Sequence, residues 1–376
     1  MKIYNVGLIG AGFMGRTHAW CWNSLPYFYA GRDYKCCLKG ICTSSLEAAR
    51  NAREELGFMR AYADFQTMID DPGIDIIDIA LPNNVHKEAL QAAAKAGKVV
   101  YCDKPLTGNL EEAIQLEKEL KDPDSLGQMA LQYRFYPATM RARQLVEADE
   151  IGKIISFRAA YLHSGNVAEG KPMHWKDTRA AGGGVLCDMG THIIDLLTWL
   201  CNAPLSRIYA LQKTLYANRP SHRDPAVMAR QDTDDMTLMA VMLDGGAIGS
   251  IEASKIATGC QDELRFEIHG SRGALRFNLM EPNYLDFFSS SDPEAPLGGL
   301  SGFKRIHCVQ RYESPALFPG SKFSIGWLRG HLHCLYSFIS AHHVEQPFQP
   351  SIKRGIELEK MIAAVEKSVA DNKEGI

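Results

Sequence analysis

Two short stretches carry residue types that chemistry can use. Gly10-Ala11-Gly12-Phe13-Met14-Gly15 has the spacing G-x-G-x-x-G, the arrangement that lets backbone close around a pyrophosphate. Far along the chain, Asp188, His192 and Asp195 stand four and three residues apart. On a helix that spacing sets all three on one face. An imidazole between two carboxylates can have its tautomer and protonation range fixed by one of them, which suits acid–base work. A buried histidine capped by a structural aspartate is the plainer alternative. Lys104 closes the apolar run VVYC-Asp103, and an ammonium at a strand end can stabilise negative charge on a reacting oxygen.

The elements around these residues give them meaning. KIYNVGLIG reads as a buried strand, and a helix starts near Phe13 and runs toward Ser24. In a strand–turn–helix setting Gly10 permits the tight turn, Gly12 lets backbone approach the pyrophosphate, and Gly15 lets helix and strand pack closely. Phe13 and Met14 lie at the helix N-terminus, whose free N–H groups and partial positive charge favour phosphate. Three structural glycines in a turn is the bland alternative. Further strands follow at CCLKGIC, GIDIIDIAL, KVVYCD and LGQMALQY. They alternate with helices over 45–56, capped by Ser44 or Ser45, over 85–96, closed by Gly97, and over 109–121. This alternation predicts an α/β fold whose first domain, residues 1–132, is a Rossmann-type doubly wound parallel sheet. Residues 26–35 read as a polar and aromatic insertion, with Tyr27-Phe28-Tyr29 open as a lid, an interface patch or a packed loop.

Ligands in open α/β sheets bind at the carboxyl ends of strands. Two later loops qualify: one holds Pro82, Asn83 and His86, the other Asp103 and Lys104. An acidic residue about 20 positions past the glycines should hold the ribose 2′-hydroxyl of NAD. Counting selects Asp33, but that residue precedes the second strand. The strand ends on Cys42-Thr43-Ser44-Ser45 without a carboxylate. Thr43 and Ser44 become the candidate ribose contacts. NADP is favoured slightly over NAD, since nothing acidic would repel a 2′-phosphate.

Residues 133–376 read differently. KIISFRAAYLHSG, DDMTLMAVMLDGGAIGSIEASKI, ELRFEIHG and GALRFNL alternate apolar and polar residues. They predict a C-terminal α+β domain with an open, mainly antiparallel sheet, interrupted by a helix over roughly 185–200. Residues 280–323 are rich in Pro, Gly and Ser and read as loop. Helices return in RGHLHCLYSFISAH and beyond residue 352, where the last helix is expected to pack back on the first domain.

Composition bounds the partners. The 376 residues suit about two domains, and 46% hydrophobic with 23% charged residues is ordinary for a globular enzyme. A net charge of -3 gives no basic field for nucleic acid or anionic membrane. No apolar run approaches the roughly 20 residues of a membrane span, and the N-terminus reads as a strand rather than a signal peptide. Ten scattered cysteines in apolar segments behave as buried thiols and fit a reducing cytoplasm. No Cys or His spacing suggests a metal; His331, His333, His342 and His343 read as a helix face or loop.

In combination these motifs resemble the glucose–fructose oxidoreductase/inositol dehydrogenase (Gfo/Idh/MocA) family. The likeness rests on the glycine motif followed by Arg16 and His18, on Pro82-Asn83-Asn84-Val85-His86, and on Asp103-Lys104-Pro105, where Asp stands in place of the family's Glu. It continues through Tyr133-Arg134-Phe135-Tyr136-Pro137 and through the segment from Gly182-Gly183-Gly184 to Asp188, His192 and Asp195. It is poorest over residues 280–323.

The resemblance implies hydride transfer between a nicotinamide and a secondary hydroxyl or carbonyl of a sugar, cyclitol or related polyol. His192 would take the hydroxyl proton, Lys104 would donate a hydrogen bond to the reacting oxygen, and Asp188 would orient substrate or histidine. Arg134 and His163 are candidate substrate contacts. Trp175-Lys176 resembles a family Trp-Arg pair near the cofactor, although Lys loses bidentate phosphate recognition. A homo-oligomer, dimer or tetramer, is implied by the same likeness. Two other functions stay open: a non-catalytic dinucleotide-binding regulator, and an NAD-dependent glycosidase acting by transient oxidation.

Overall fold

The computed structural model describes residues 1–373, which divide into two compact units. The first comprises Met1–Phe135, Tyr312–Gly320 and Gly326–Glu359; the second comprises Tyr136–Arg311, Ser321–Ile325 and the chain from Lys360.

The first unit begins with β1 (Lys2–Ile9), α1 (Phe13–Phe28), β2 (Tyr34–Cys42), α2 (Leu46–Leu56), β3 (Arg60–Tyr62) and α3 (Phe65–Ile69). It continues with β4 (Ile76–Ile79), α4 (His86–Lys95), β5 (Val99–Cys102), α5 (Leu110–Glu119), α6 (Pro123–Leu126) and β6 (Gly127–Met129). The strands are parallel in the order β3-β2-β1-β4-β5-β6. Strand order reverses between β1 and β4, which makes their carboxyl ends the switch point where such sheets bind ligands. Helices cover both faces, so the strands are apolar almost throughout: Val6, Leu8, Ile76, Ile77, Ile79 and Val100 have no exposure. Ser45, Asp64 and Asn109 cap α2, α3 and α5 through side-chain oxygens.

Two differences from the sequence reading have local causes. Helix α1 does not stop near Ser24 but runs through Pro26 to Phe28. The helix tolerates the missing N–H of Pro26 because Leu25 is fully buried and the buried Tyr29 ring stacks on Tyr336, 3.7 Å between centroids. Of residues 26–35 the first three complete α1, Tyr34 and Lys35 open β2, and 29–33 form a short connection in which Tyr29 is buried and Tyr27 before it is exposed. Strand β3 and helix α3 escape notice because three and five residues carry too little periodicity to read.

The second unit opens with α7 (Pro137–Glu147) and β7 (Ile154–Leu162), followed by a π-helical turn over Leu186–Gly190 and α8 (Thr191–Cys201). Its strands then run β8 (Leu205–Lys213), β9 (Asn218–Pro220), β10 (Met228–Arg230), β11 (Met236–Leu243), β12 (Ile248–Ser254), β13 (Glu263–Gly270), β14 (Gly273–Asn278), β15 (Tyr284–Ser289) and β16 (Lys304–His307). Apart from the β9–β10 ribbon they form one eight-stranded sheet in the order β16-β15-β14-β13-β7-β12-β11-β8. All its pairings are antiparallel except β12 against β7, which is parallel. Helix α8 packs with its buried residues toward one face, and the other face exposes Ile155, Tyr209, Leu211, Leu238 and Ile248.

The segment read as loop over 280–323 contains β15 and β16. They lack a clean apolar alternation, and Arg305 holds them partly by ion pairs to Asp286 and Glu281. Helix α9 (Trp327–His343) belongs to the first unit and packs on α1; α10 (Ile352–Lys373) begins in the first unit and ends in the second. The stretch Arg179–Cys201 is long and apolar enough by composition to cross a bilayer, contrary to the sequence reading, and 83% of its most apolar window is buried inside the protein.

Candidate active site

The glycine loop differs at each glycine. Gly10 has φ +100°, and a Cβ there would lie 2.2 Å from the Ala80 carbonyl oxygen. A Cβ on Gly15 would lie 2.1 Å from the Gly10 carbonyl oxygen. Gly12 faces open space. The first and third glycines are thus required by the protein's own packing, whereas the second leaves room that a Cβ would fill. Helix α1 starts at this point with no side-chain cap and no acidic residue in its first turn. Its N–H groups and dipole face outward, so the loop fits a dinucleotide pyrophosphate. Phe13 is 74% exposed at the rim, and its ring lies 5.5 Å from that of Trp327 on α9. Met14 is half-buried beside it.

The loops after β4 and β5 are tied together by one histidine. His86 is fully buried; its Nε2 lies 2.9 Å from the Leu81 carbonyl oxygen and its Nδ1 3.0 Å from that of Pro105. Burial pulls the protonation of this imidazole below the ordinary range. A neutral imidazole carries one N–H, so His86 donates to one of these two carbonyls while its ring packs between the Pro82-Asn83 loop and the Lys104-Pro105 loop. Asn83 is buried and Pro82 half-buried. The Asp103 carboxylate accepts the Lys104 N–H at 2.9 Å, which fixes the backbone beneath the half-buried Lys104 side chain.

At the end of β2, Thr43 donates to the Ser45 carbonyl at 3.0 Å, Ser44 is exposed, and Ser45 accepts the Ala48 N–H. Asp33 stands before β2, at the end of the strand opposite Thr43, and pairs with His343 at 2.7 Å. It cannot serve a ribose at the carboxyl ends. Arg134 is buried in the first unit.

The second unit holds the Asp188–His192–Asp195 cluster. The stretch around Asp188 is a π-helical turn rather than the regular helix the spacing suggests, and α8 begins only at Thr191. Such turns recur at functional sites because they re-aim side chains. The turn is seated by Gly183, whose Cβ would meet the Lys176 carbonyl at 2.2 Å, and by Asp234, which accepts the Leu186 N–H at 3.1 Å. Burial raises the Asp234 carboxyl above the usual range.

Asp188 is held by one lysine per oxygen: Lys176 Nζ at 2.8 Å from Oδ1 and Lys255 Nζ at 2.9 Å from Oδ2. The sequence placed Lys176 beside Trp175 near the cofactor; it lies 5.6 Å over the half-buried Trp175 ring but also pairs with Asp188. His192 is buried, 6.0 Å edge-to-face from Tyr161, and Asp195 is buried one turn further on. Tyr161 donates to Asp262 at 2.6 Å, and Asp262 stands 3.8 Å from His163 Nε2. Sequence reasoning missed Lys255 and Trp327. Lys255 has no local signal at the end of an apolar strand, and Trp327 is only an aromatic residue before a helix.

The chain is similar to known proteins along 98% of its length. The description "Oxidoreductase family, NAD-binding Rossmann fold" fits residues 4–129, and the GFO/IDH/MocA C-terminal domain fits residues 139–276. A levoglucosan dehydrogenase of Pseudarthrobacter phenanthrenivorans is 31% identical over 98% of this chain and 97% of its own length. This chain belongs to the Gfo/Idh/MocA family. It is an NAD(P)-dependent oxidoreductase of that family. A solved structure of levoglucosan dehydrogenase with NADH and levoglucosan superimposes with a TM-score of 0.92 at 30% identity, covering 98% of each chain. The scyllo-inositol 2-dehydrogenase (NAD(+)) of Bacillus subtilis is 27% identical over 75% of this chain and 76% of its own length.

Proposed function

We propose that this family member oxidises a secondary hydroxyl of a pyranose-type sugar, anhydrosugar or cyclitol. The observation that carries the reading is the lysine-bracketed Asp188 on a π turn leading into His192, in a chain similar to a levoglucosan dehydrogenase from end to end.

When bound, the dinucleotide supplies the hydride acceptor. The protein's residues do the rest. The glycine loop and the α1 N-terminus hold the pyrophosphate. His192 accepts the hydroxyl proton as the carbonyl forms, work that an imidazole does well near neutral pH. Lys104 donates a hydrogen bond to the same oxygen and stabilises the negative charge that develops there. Asp188, its own charge balanced by Lys176 and Lys255, orients the substrate or His192. Arg134 and His163 are substrate contacts, and Phe13, Met14, Pro82, Asn83, Asp103 and Trp175 line the cofactor. His86 serves the cofactor by packing between its two loops.

At the adenosine end, Thr43 and Ser44 meet the ribose. Because the run Cys42-Thr43-Ser44-Ser45 itself carries no carboxylate, NADP is used at least as well as NAD, although, beyond burial, Asp64 lies close enough to raise the Cys42 thiol further, and the similar levoglucosan dehydrogenase was solved with NADH. Ten free thiols suit a reducing cytoplasm, and the apolar outer sheet face suits a dimer or tetramer.

The test is a panel of levoglucosan, L-sorbose, inositols and common aldoses with NAD and NADP, read at the nicotinamide absorbance band. At least one substrate should turn over. Lys104→Met and His192→Ala should each lower kcat on the order of a hundredfold or more while NADH still binds. Wild-type turnover in both variants would overturn the assignments. Release of an aglycone without net absorbance change would favour transient-oxidation glycoside cleavage. Tight NADH binding with no turnover on any sugar would favour a regulator.

A further inference from the structure

The two lysines that bracket Asp188 come from separate places in the second unit, and one buried amide stands between those places. Lys176 lies in the turn Trp175–Asp177, and Lys255 directly follows β12. Asn166, in the connection after β7, is 2% exposed. Its Nδ2 donates to Asp235 Oδ1 at 2.6 Å, and Asp177 Oδ1 lies 3.5 Å from the same nitrogen. Its Oδ1 accepts from the Lys171 ammonium. The amide can face only this way, because its oxygen turned toward two carboxylates would be repelled by both.

Each contact leads to a lysine. Asp177 closes the turn that carries Lys176, its Oδ2 accepting the His174 N–H at 2.8 Å. The Asp235 carbonyl accepts the Lys255 N–H at 2.8 Å, and the Asn166 N–H donates to the Lys255 carbonyl, also at 2.8 Å. The backbone of Lys255 is thus held on both sides. Asp234, next to Asp235, seats the π turn of Asp188 by accepting the Leu186 N–H.

The burial of Asp235 is compensated without help from Asn166. Its carboxylate has no exposure, and it accepts from Gln231 Nε2 at 2.9 Å and from the Leu215 N–H at 2.8 Å. Arg219, on β9, is equally buried; it donates to the Asn166 carbonyl at 2.7 Å and stands 3.8 Å from Asp235. A buried carboxylate needs a cation and hydrogen bonds of this kind. What the Asn166 side chain adds is the link from Asp235 across to Asp177.

We propose that Asn166 is a positioning residue for the reaction. Its amide joins the turn of Lys176 to the strand end of Lys255, and so sets one ammonium on each oxygen of Asp188, at 2.8 and 2.9 Å. Held at both oxygens, the carboxylate keeps one orientation. This inference rests on the assignment of Asp188 to the reaction.

A double-mutant cycle separates this role from mere support of the fold. Asn166→Ala should lower kcat about tenfold, with NADH affinity within about twofold. In that background Lys255→Met acts on a clamp already loosened, and should cost at most about threefold more, against the tenfold or so expected in the wild type. A residue that only supports the fold would leave the Lys255→Met loss at its full size. An unchanged kcat in Asn166→Ala, or a further loss above about threefold in the double variant, would overturn the proposal. Should Asn166→Ala not fold, Asn166→Ser takes its place in the cycle, because one hydroxyl hydrogen can serve one carboxylate but not both.

The second arm needs no turnover. In a crystal structure of the Asn166 variant without substrate, at least one lysine should stand beyond the ~4 Å of an ion pair from Asp188. Both pairs intact would overturn the proposal. If the wild-type protein oxidises no sugar, the functional reading fails, and the crystal structure still decides whether Asn166 sets the lysines.

Discussion

In the first unit, the surface offered to a dinucleotide is mostly backbone: a glycine at φ +100°, a second glycine facing open space, and an uncapped helix N-terminus. In the second, the groups proposed to react are side chains held by other side chains, with Asp188 between Lys176 and Lys255 and Tyr161 between His192 and Asp262. Backbone sites are fixed by local sequence and tolerate almost no change in conformation. Side-chain sites are assembled across long sequence separations, and their geometry fails one partner at a time.

The glycine loop offers the strongest way to break this contrast. Gly10→Ala should destabilise the protein by roughly 3 kcal/mol or more, because φ is positive and the Cβ meets a backbone carbonyl that cannot move aside. Gly12→Ala should leave the melting temperature nearly unchanged and weaken NADH binding about tenfold, since its Cβ occupies only the space a phosphate needs. Thermal denaturation and NADH titration of the two variants separate the effects. Equal destabilisation by both would mean that the open space at Gly12 is filled by the protein itself.

A smaller effect is expected from the lysines. Lys255→Met should lower kcat tenfold or so while NADH affinity holds, because a poorly exposed carboxylate loses half its compensation. Lys176→Met, at a more exposed lysine, should cost less. Loss of NADH affinity in Lys255→Met would place that lysine with the cofactor instead.

The smallest effect concerns acid stability. His86 and His333, both in the first unit, are held neutral, His333 being pulled down to about 3. Both folded values lie below the unfolded one near 6.5, so the unfolded chain binds more protons as pH falls. Their contribution is fully present above about pH 6.5 and is lost progressively toward the folded values. His333→Phe should therefore flatten the decline in stability between pH 7 and 5, by about 1 kcal/mol at pH 5 once its partial exposure is allowed for. Denaturant titration at the two pH values measures it, and an unchanged slope would show that His333 does not resist protonation.

The same contrast decides what was legible in the residues. The glycine loop, the strand–helix alternation and the Pro82–His86 and Asp103–Lys104 loops follow from short-range spacing, and the Rossmann sheet with its mainly antiparallel companion followed from them. The π turn at Asp188 was not legible, because a four-residue spacing also fits an ordinary helix. Lys255 was not legible either, since its pairing with Asp188 spans 67 residues, 255 less 188. Strands β15 and β16 were hidden by charged pairs in place of apolar alternation, and the placement of α9 in the first unit depends on its packing against α1.

The most direct test of the account is a crystal structure of the wild-type protein with oxidised dinucleotide and a substrate taken from the sugar panel. The account predicts one secondary hydroxyl oxygen within hydrogen-bond distance of both Lys104 Nζ and His192, with its carbon over the nicotinamide. A substrate bound with its reacting hydroxyl out of reach of either residue would contradict it.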